Sequence, residues 1–202
     1  MNVKQYAPAT KRNREPILKV LSEVLPQNSK VLEIASGTGE HAVYFASKLP
    51  FCHWIPSDIS PESRSSITAW KNDRAIDNLD LPLSIDVTKD NWQSSVAKQE
   101  IDSIVNINMI HIAPWQACLG LMKGAGQILP TSGILYLYGP YKRNGEHTAV
   151  SNANFDRSLR DRHPEWGVRD LEQVIEAAAN ANLKLQQVIE MPANNLSVIF
   201  SR

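Results

Sequence analysis

Lys30-Val31-Leu32-Glu33-Ile34-Ala35-Ser36-Gly37-Thr38-Gly39 is the stretch whose reading decides the fold. Its first six residues read as a short buried strand. Two glycines follow at once, and Ala42, Phe45, Ala46 and Leu49 then recur at helical spacing. The glycines therefore sit between a strand and a helix. There a backbone without Cβ atoms can pass close to a ligand.

The same alternation extends in both directions. Upstream, Ile17, Val20, Leu21, Val24 and Leu25 form one apolar helical face. Pro16 is expected in the first turn of that helix, with Pro26 ending it and Lys11-Arg12-Asn13-Arg14 leading into it. Downstream, residues 53–59, 83–87, 101–107 and 133–138 read as strands, with helices opening at Ser60-Pro61 and at Pro114. Residues 139–169 break the rhythm and are expected to form a substrate lid. Leu171, Val174, Ile175 and Ala178 mark a last helix. Residues 183–191 and 196–200 are strand-like, and the four residues between them leave no room for a crossover helix. That pair must be antiparallel. The expectation is one α/β domain over 1–202, a seven-stranded, mostly parallel sheet with a C-terminal antiparallel hairpin and helices on both faces.

Composition narrows the class. The 202 residues are 43% hydrophobic, and 21 basic residues balance 21 acidic ones. A neutral chain lacks the positive field of a general nucleic-acid binder. No apolar run is long enough to span a bilayer, and residues 1–10 lack the apolar core of a secretion signal, so a cytoplasmic location is expected. Cys52 and Cys118 lie far apart and read as reduced thiols. The five histidines show no metal-ligand spacing, and no metal is expected.

Glu33-x-Ala35-x-Gly37-x-Gly39 follows the acidic-x-Gly-x-Gly-x-Gly pattern of S-adenosylmethionine-dependent methyltransferases, with Ala35 in the first glycine slot. In that reading Glu33, Ala35, Ser36, Gly37 and Gly39 form the loop around the methionine moiety. Asp58 stands nineteen residues after Gly39. Its two carboxylate oxygens suit the two ribose hydroxyls, with Ile59 beside it. Asp86 and Val87 are placed to take the adenine, and Asn108, at the end of the next strand, is the last of the cofactor-binding candidates. Together these features describe a class I, Rossmann-like methyltransferase fold. The same glycines also fit Gly37-x-Gly39-x-x-Ala42, a dinucleotide fingerprint, which leaves an NAD(P)-dependent oxidoreductase as the rival reading. A non-catalytic protein that binds an adenosyl ligand is the third.

Further motifs lie outside the cofactor pattern. Asn13-Arg14-Glu15-Pro16-Ile17, Ala35-Ser36-Gly37-Thr38-Gly39-Glu40-His41, Pro56-Ser57-Asp58, Asn108-Met109-Ile110-His111-Ile112, Trp115, Gly139-Pro140-Tyr141 and Trp166-Gly167-Val168-Arg169-Asp170 resemble the methyltransferase-like protein 26 family. The resemblance runs from about Tyr6 to the C-terminus. It implies a class I methyltransferase fold and names no substrate.

In open parallel sheets, ligands bind at the carboxyl ends of the strands. That rule gathers His41, Asn194 and Asn195 as pocket candidates; the resemblance adds Trp115, and it implies that the leading segment folds over the cofactor, which adds Arg12 and Asn13. His111 is the candidate base, because an ordinary histidine titrates near neutrality. Tyr141 is the candidate for orienting the acceptor. Arg12 or Arg14 pairs with the methionine carboxylate or an anionic substrate, or belongs to a solvated basic run. Arg157, Arg160, Arg162 and Arg169 read as surface partners of neighbouring acids. The expected activity is methyl transfer from S-adenosylmethionine to a small molecule, with no oligomeric state implied.

Overall fold

The computed structural model describes residues 3–202. Met1 and Asn2, which open the segment read for a secretion signal, lie outside them. The elements run α1 (Pro8–Val24), β1 (Lys30–Ile34), α2 (Glu40–Lys48), β2 (His53–Pro56), α3 (Pro61–Arg74), β3 (Ser103–Ile107), α4 (Trp115–Ile128) and β4 (Ile134–Gly139). They continue β5 (Tyr141–Arg143), β6 (Glu146–His147), α5 (Val150–Arg162), β7 (Arg169–Asp170), α6 (Leu171–Asn180), β8 (Lys184–Met191) and β9 (Asn195–Ser201).

The central sheet has the order β2-β1-β3-β4-β9-β8. The first four strands are parallel, and β9 pairs antiparallel with both β4 and β8. Each face is buried under helices. On one side Ile17, Leu21 and Phe45 pack with Val31, Trp54, Val105 and Tyr136. On the other, Leu121, Ala125 and Val174 pack with Leu32, Ile104 and Leu135. Strands buried on both faces read as continuous apolar runs, which is why their sequence shows no alternation. Cys52 and Cys118 are unpaired and buried, and burial pushes their thiols up to about 11 and about 12. No helix among the described residues is long and apolar enough to cross a membrane.

The sheet has six strands, not the seven expected. Residues 83–87 do not form a strand. The chain from Asn78 to Leu83 runs beside β2 and exchanges four backbone hydrogen bonds with residues 54–58, but only Leu79 and Leu83 form isolated bridges. Pro82 has no N–H to give, so the ladder cannot close between them. Asn78 anchors this edge instead. Its Nδ2 donates to the carbonyls of Ala46, Leu49 and Cys52 at 2.9, 3.2 and 2.8 Å.

The N-terminus also departs from expectation. The first helix starts at Pro8, so Pro16 lies inside it and Lys11–Arg14 are helical. Pro16 leaves the Arg12 carbonyl without its helical N–H partner. Residues 139–169 are not irregular. They fold into α5 and a small sheet of order β6-β5-β7. Arg169 is no surface partner either: Nε donates to the Ile110 carbonyl at 2.8 Å and Nη2 to that of Ala113 at 2.6 Å. It thereby holds the turn after β3.

Asn78→Ala should cost about 2 kcal/mol, because three carbonyls lose one shared donor. Asn78→Asp should cost at least as much, since a carboxylate would face those carbonyls. Urea denaturation checks both; midpoints equal to the parent's would rule out the anchoring role.

Candidate cofactor and acceptor site

The turn after β1 is left-handed three times over. Ala35 has φ +58, Gly37 +56 and Gly39 +88. Nothing lies within 4 Å of where a Cβ on Gly37 would sit, so that position opens onto free space. A Cβ on Gly39 would stand 2.9 Å from Ile67 of α3, so the loop backs closely onto that helix. Alanine tolerates the left-handed region less well than glycine, and Ala35 stores about 1 kcal/mol of strain at this turn.

Asp58 ties the loop to the end of β2. The Gly37 N–H donates to Oδ2 and the Ser60 N–H to Oδ1, each at 2.9 Å. Each oxygen keeps a second lone pair, so the carboxylate can still accept a pair of ligand hydroxyls. Ile59, the next residue, is 65% exposed. Ser36 lies beneath the loop: its N–H donates to the Ser57 carbonyl and its hydroxyl accepts from the Ser57 N–H. Asp86 lies in a turn, where Oδ1 accepts from the N–H and hydroxyl of Thr88. Its Oδ2 remains for an outside donor. Val87 is buried against the core, as is Trp92, whose Nε1 donates to the Gly120 carbonyl at 2.9 Å. Free space over Gly37, two carboxylates at the sheet's edge and exposed Ile59 fit an adenosyl group.

Glu33 sits at the base of this loop, 2% exposed, and its Oε2 accepts from Trp54 Nε1 at 2.9 Å. Burial pushes the carboxyl up from 4.5 to about 7, and the nearby Asp58 charge adds a little. Hydrogen bonds from Trp54 and Ser36 pull the other way.

A second space opens at the carboxyl ends of β3 and β4. It is a cavity of about 750 Å³. Arg12 and Asn13 of α1, Asn108 after β3, Tyr138 of β4, Phe155 of α5, and Asn194 with Asn195 after β8 all line it. Four of the six pocket candidates thus converge, together with Asn108. The two others do not reach it. His41 braces α1: Nε2 pairs with Asn13 Oδ1 at 2.9 Å and its ring stacks on Phe45. Burial holds its pKa down to about 4, with the Arg14 charge adding to the effect. Trp115 packs against the core beneath the Arg169 guanidinium, 5.7 Å from the ring centroid.

His111 and Tyr141 lie behind Gly139 rather than in the cavity. His111 is 0% exposed and Tyr141 1%. The Arg169 N–H donates to His111 Nδ1 at 3.3 Å, which puts the ring proton on Nε2. Burial, then the Arg169 charge, drives the ring pKa down to about 3. A ring so placed stays neutral and has no path to an acceptor in the cavity. The Tyr141 hydroxyl is likewise buried without a partner.

Several cavity residues escaped the sequence reading. Phe155, Ser151 and Asn152 belong to α5, whose Asn152, Phe155 and Leu159 fall at i, i+3 and i+7. That spacing was a legible signal in a stretch read as lid. Tyr138 carried no signal beyond its strand. Among the described residues no group of three or more His, Cys, Asp or Glu is placed to hold a metal ion.

Folded Glu33 binds its proton more tightly than unfolded Glu33. Its contribution to stability is therefore full below about pH 4.5 and is lost as pH rises through about 7. Glu33→Gln should remove this loss while keeping an acceptor for Trp54. Relative to the parent, the variant should gain up to about 3 kcal/mol between pH 4.5 and 8. Denaturation midpoints across that range measure it; a pH-independent difference would show that Glu33 does not titrate there.

The family model for proteins of unknown function DUF938 matches residues 4–202. In structure the chain is similar to an O-methyltransferase family protein from Burkholderia thailandensis, at 14% identity and a TM-score of 0.80 over 96% of this chain and 57% of that one. It is similar to an O-methyltransferase family 2 protein from Planctomyces limnophilus DSM 3776, solved in complex with apigenin, at 19% identity and 0.78 over 96% and 60%. Human N-acetylserotonin methyltransferase, solved with S-adenosylmethionine, matches at 15% and 0.75 over 96% and 52%. The chain thus spans little more than half the length of these proteins. At such identity the likeness is one of fold, an α/β methyltransferase fold with a mostly parallel sheet. By its sequence, the chain belongs to the DUF938 family.

Proposed function

We propose that this protein transfers a methyl group from S-adenosylmethionine to a small-molecule acceptor, and that its kinship is with the methyltransferase-like protein 26 family. The observation that carries the reading is the left-handed loop latched to Asp58, open above Gly37, beside a cavity that Asn108 lines. When bound, the cofactor supplies an electrophilic methyl: an acceptor lone pair forms the new bond to carbon, the carbon–sulfur bond breaks, and its electrons stay on sulfur.

The chain's own part is placement. Gly37 and Gly39 let the backbone approach the methionine moiety, Asp58 accepts from the ribose hydroxyls, and Asp86 Oδ2 accepts from the adenine amino group. Asn108 stands at the end of β3, lines the acceptor cavity, and its side-chain amide has no partner among the described residues. It orients the acceptor for in-line attack. His111 is assigned no proton transfer. Among the described residues no carboxylate or histidine side chain lines the cavity, so the acceptor's proton goes to solvent.

Calorimetric titration with S-adenosylhomocysteine and NADH in parallel tests the reading. Binding of the adenosyl ligand alone is expected, and Asp58→Asn should weaken it by about ten- to a hundredfold. Unchanged affinity in the variant would remove the ribose assignment. Binding of NADH alone would replace methyl transfer with hydride chemistry.

A further inference from the structure

The cavity beside Asn108 carries information about what it accepts. Arg12 is its one formally charged lining residue, and the guanidinium has no ion pair or hydrogen bond among the described residues. Among the described residues, no acidic one lines the space to neutralise it. The N-terminal turn of α5 contributes Ser151 and Asn152 to the wall, has no acidic residue and lacks a capping side chain. Its positive end therefore adds to the same field. Much of the remaining wall is apolar: Pro16, Pro140, Phe155 and Pro192. At the end of β3, Asn108 offers a free amide.

Backbone strain collects on the same space. Asn108, Ala193 and Asn194 line it, with φ of +64, +59 and +57. Asparagine tolerates the left-handed region, but alanine does so only at a cost, and strain of this kind gathers where a ligand is held. Asn152 fixes this turn by donating from Nδ2 to the Asn194 carbonyl at 2.9 Å.

We infer that the cavity binds a small organic carboxylate, its charged end on Arg12 and its apolar body against Phe155 and the prolines, with a polar atom presented to Asn108. The inference rests on reading the cavity as the acceptor site of the proposed methyltransferase, and it names that acceptor's class. A guanidinium matches a carboxylate through two parallel N–H donors. One guanidinium carries one positive charge, which a carboxylate neutralises and a phosphate dianion exceeds. A neutral acceptor would leave the Arg12 guanidinium paired with water alone.

The test is titration of the full isotope-labelled chain, followed by NMR, with benzoate, its neutral counterpart benzamide, and phenyl phosphate. Benzoate should bind saturably and shift the resonances of Arg12, Asn108 and Phe155. Benzamide should bind at least about tenfold more weakly. Arg12→Gln should weaken benzoate by about ten- to a hundredfold and leave benzamide unchanged, and Arg12→Lys should recover part of the loss. Arg12 is exposed on α1, so both variants should keep the parent's melting temperature. Several results would overturn the inference: equal binding of benzoate and benzamide, tighter binding of phenyl phosphate, shifts on another face, no saturable shift, or benzoate affinity unchanged in Arg12→Gln. S-adenosylhomocysteine titrated into the same samples separates the two readings. Benzoate binding without adenosyl binding removes the methyltransferase alone, and the reverse removes the carboxylate alone.

Discussion

The Asp58 carboxylate holds together the part of the molecule on which any function depends. It accepts the Gly37 N–H from the turn after β1 and the Ser60 N–H at the start of α3. Two parallel strands that share no hairpin are thereby joined at their carboxyl ends. Below the latch, Ser36 and Ser57 exchange hydrogen bonds, and the Ser57 hydroxyl donates to the Glu33 carbonyl at 2.8 Å. The loop is thus shaped before any ligand arrives. A binding site formed in advance spends less ordering entropy on capture.

The cavity side is organised differently. The latch is built from neighbours along β1 and β2, whereas the 750 Å³ cavity draws its walls from α1, β4, α5 and the turn between β8 and β9. His41 fixes α1 against this space through Asn13, and Asn152 fixes the turn after β8. Arg169 holds the segment after β3 through backbone carbonyls, so Asn108 is positioned from outside its own strand. Charge is distributed to match. The buried histidines at 41 and 111 are held neutral by burial, and Arg12 is left as the cavity's uncompensated charge.

Much of this was legible in the sequence where the signal is local. The helix face from Ile17 to Leu25, the Ser60-Pro61 start of α3 and the short turn between the last two strands each follow from spacing of a few residues. Asn194 and Asn195, which line the cavity, were expected there because strand ends point ligands to one edge of a parallel sheet, whereas Asp58 was read from its spacing after the glycines. The strand expected at residues 83–87 is absent: Pro82, just before it, cannot donate to β2, and the chain then turns at Asp86, which accepts from Thr88 and Lys89. The role expected of His111 rested on the pKa of a solvated ring, and burial beside Arg169 changed that pKa.

The sequence by itself determined the strand–glycine turn–helix, the class of fold and the carboxylate at the end of β2. These depend on periodicity and on φ requirements that residues carry with them. Tertiary structure alone decided which polar groups share the cavity and which are sealed away, that helix α5 forms one wall, and that Arg12 faces that space without a partner among the described residues. Burial and charge pairing depend on contacts between residues far apart in the chain, and those distances exist only after folding.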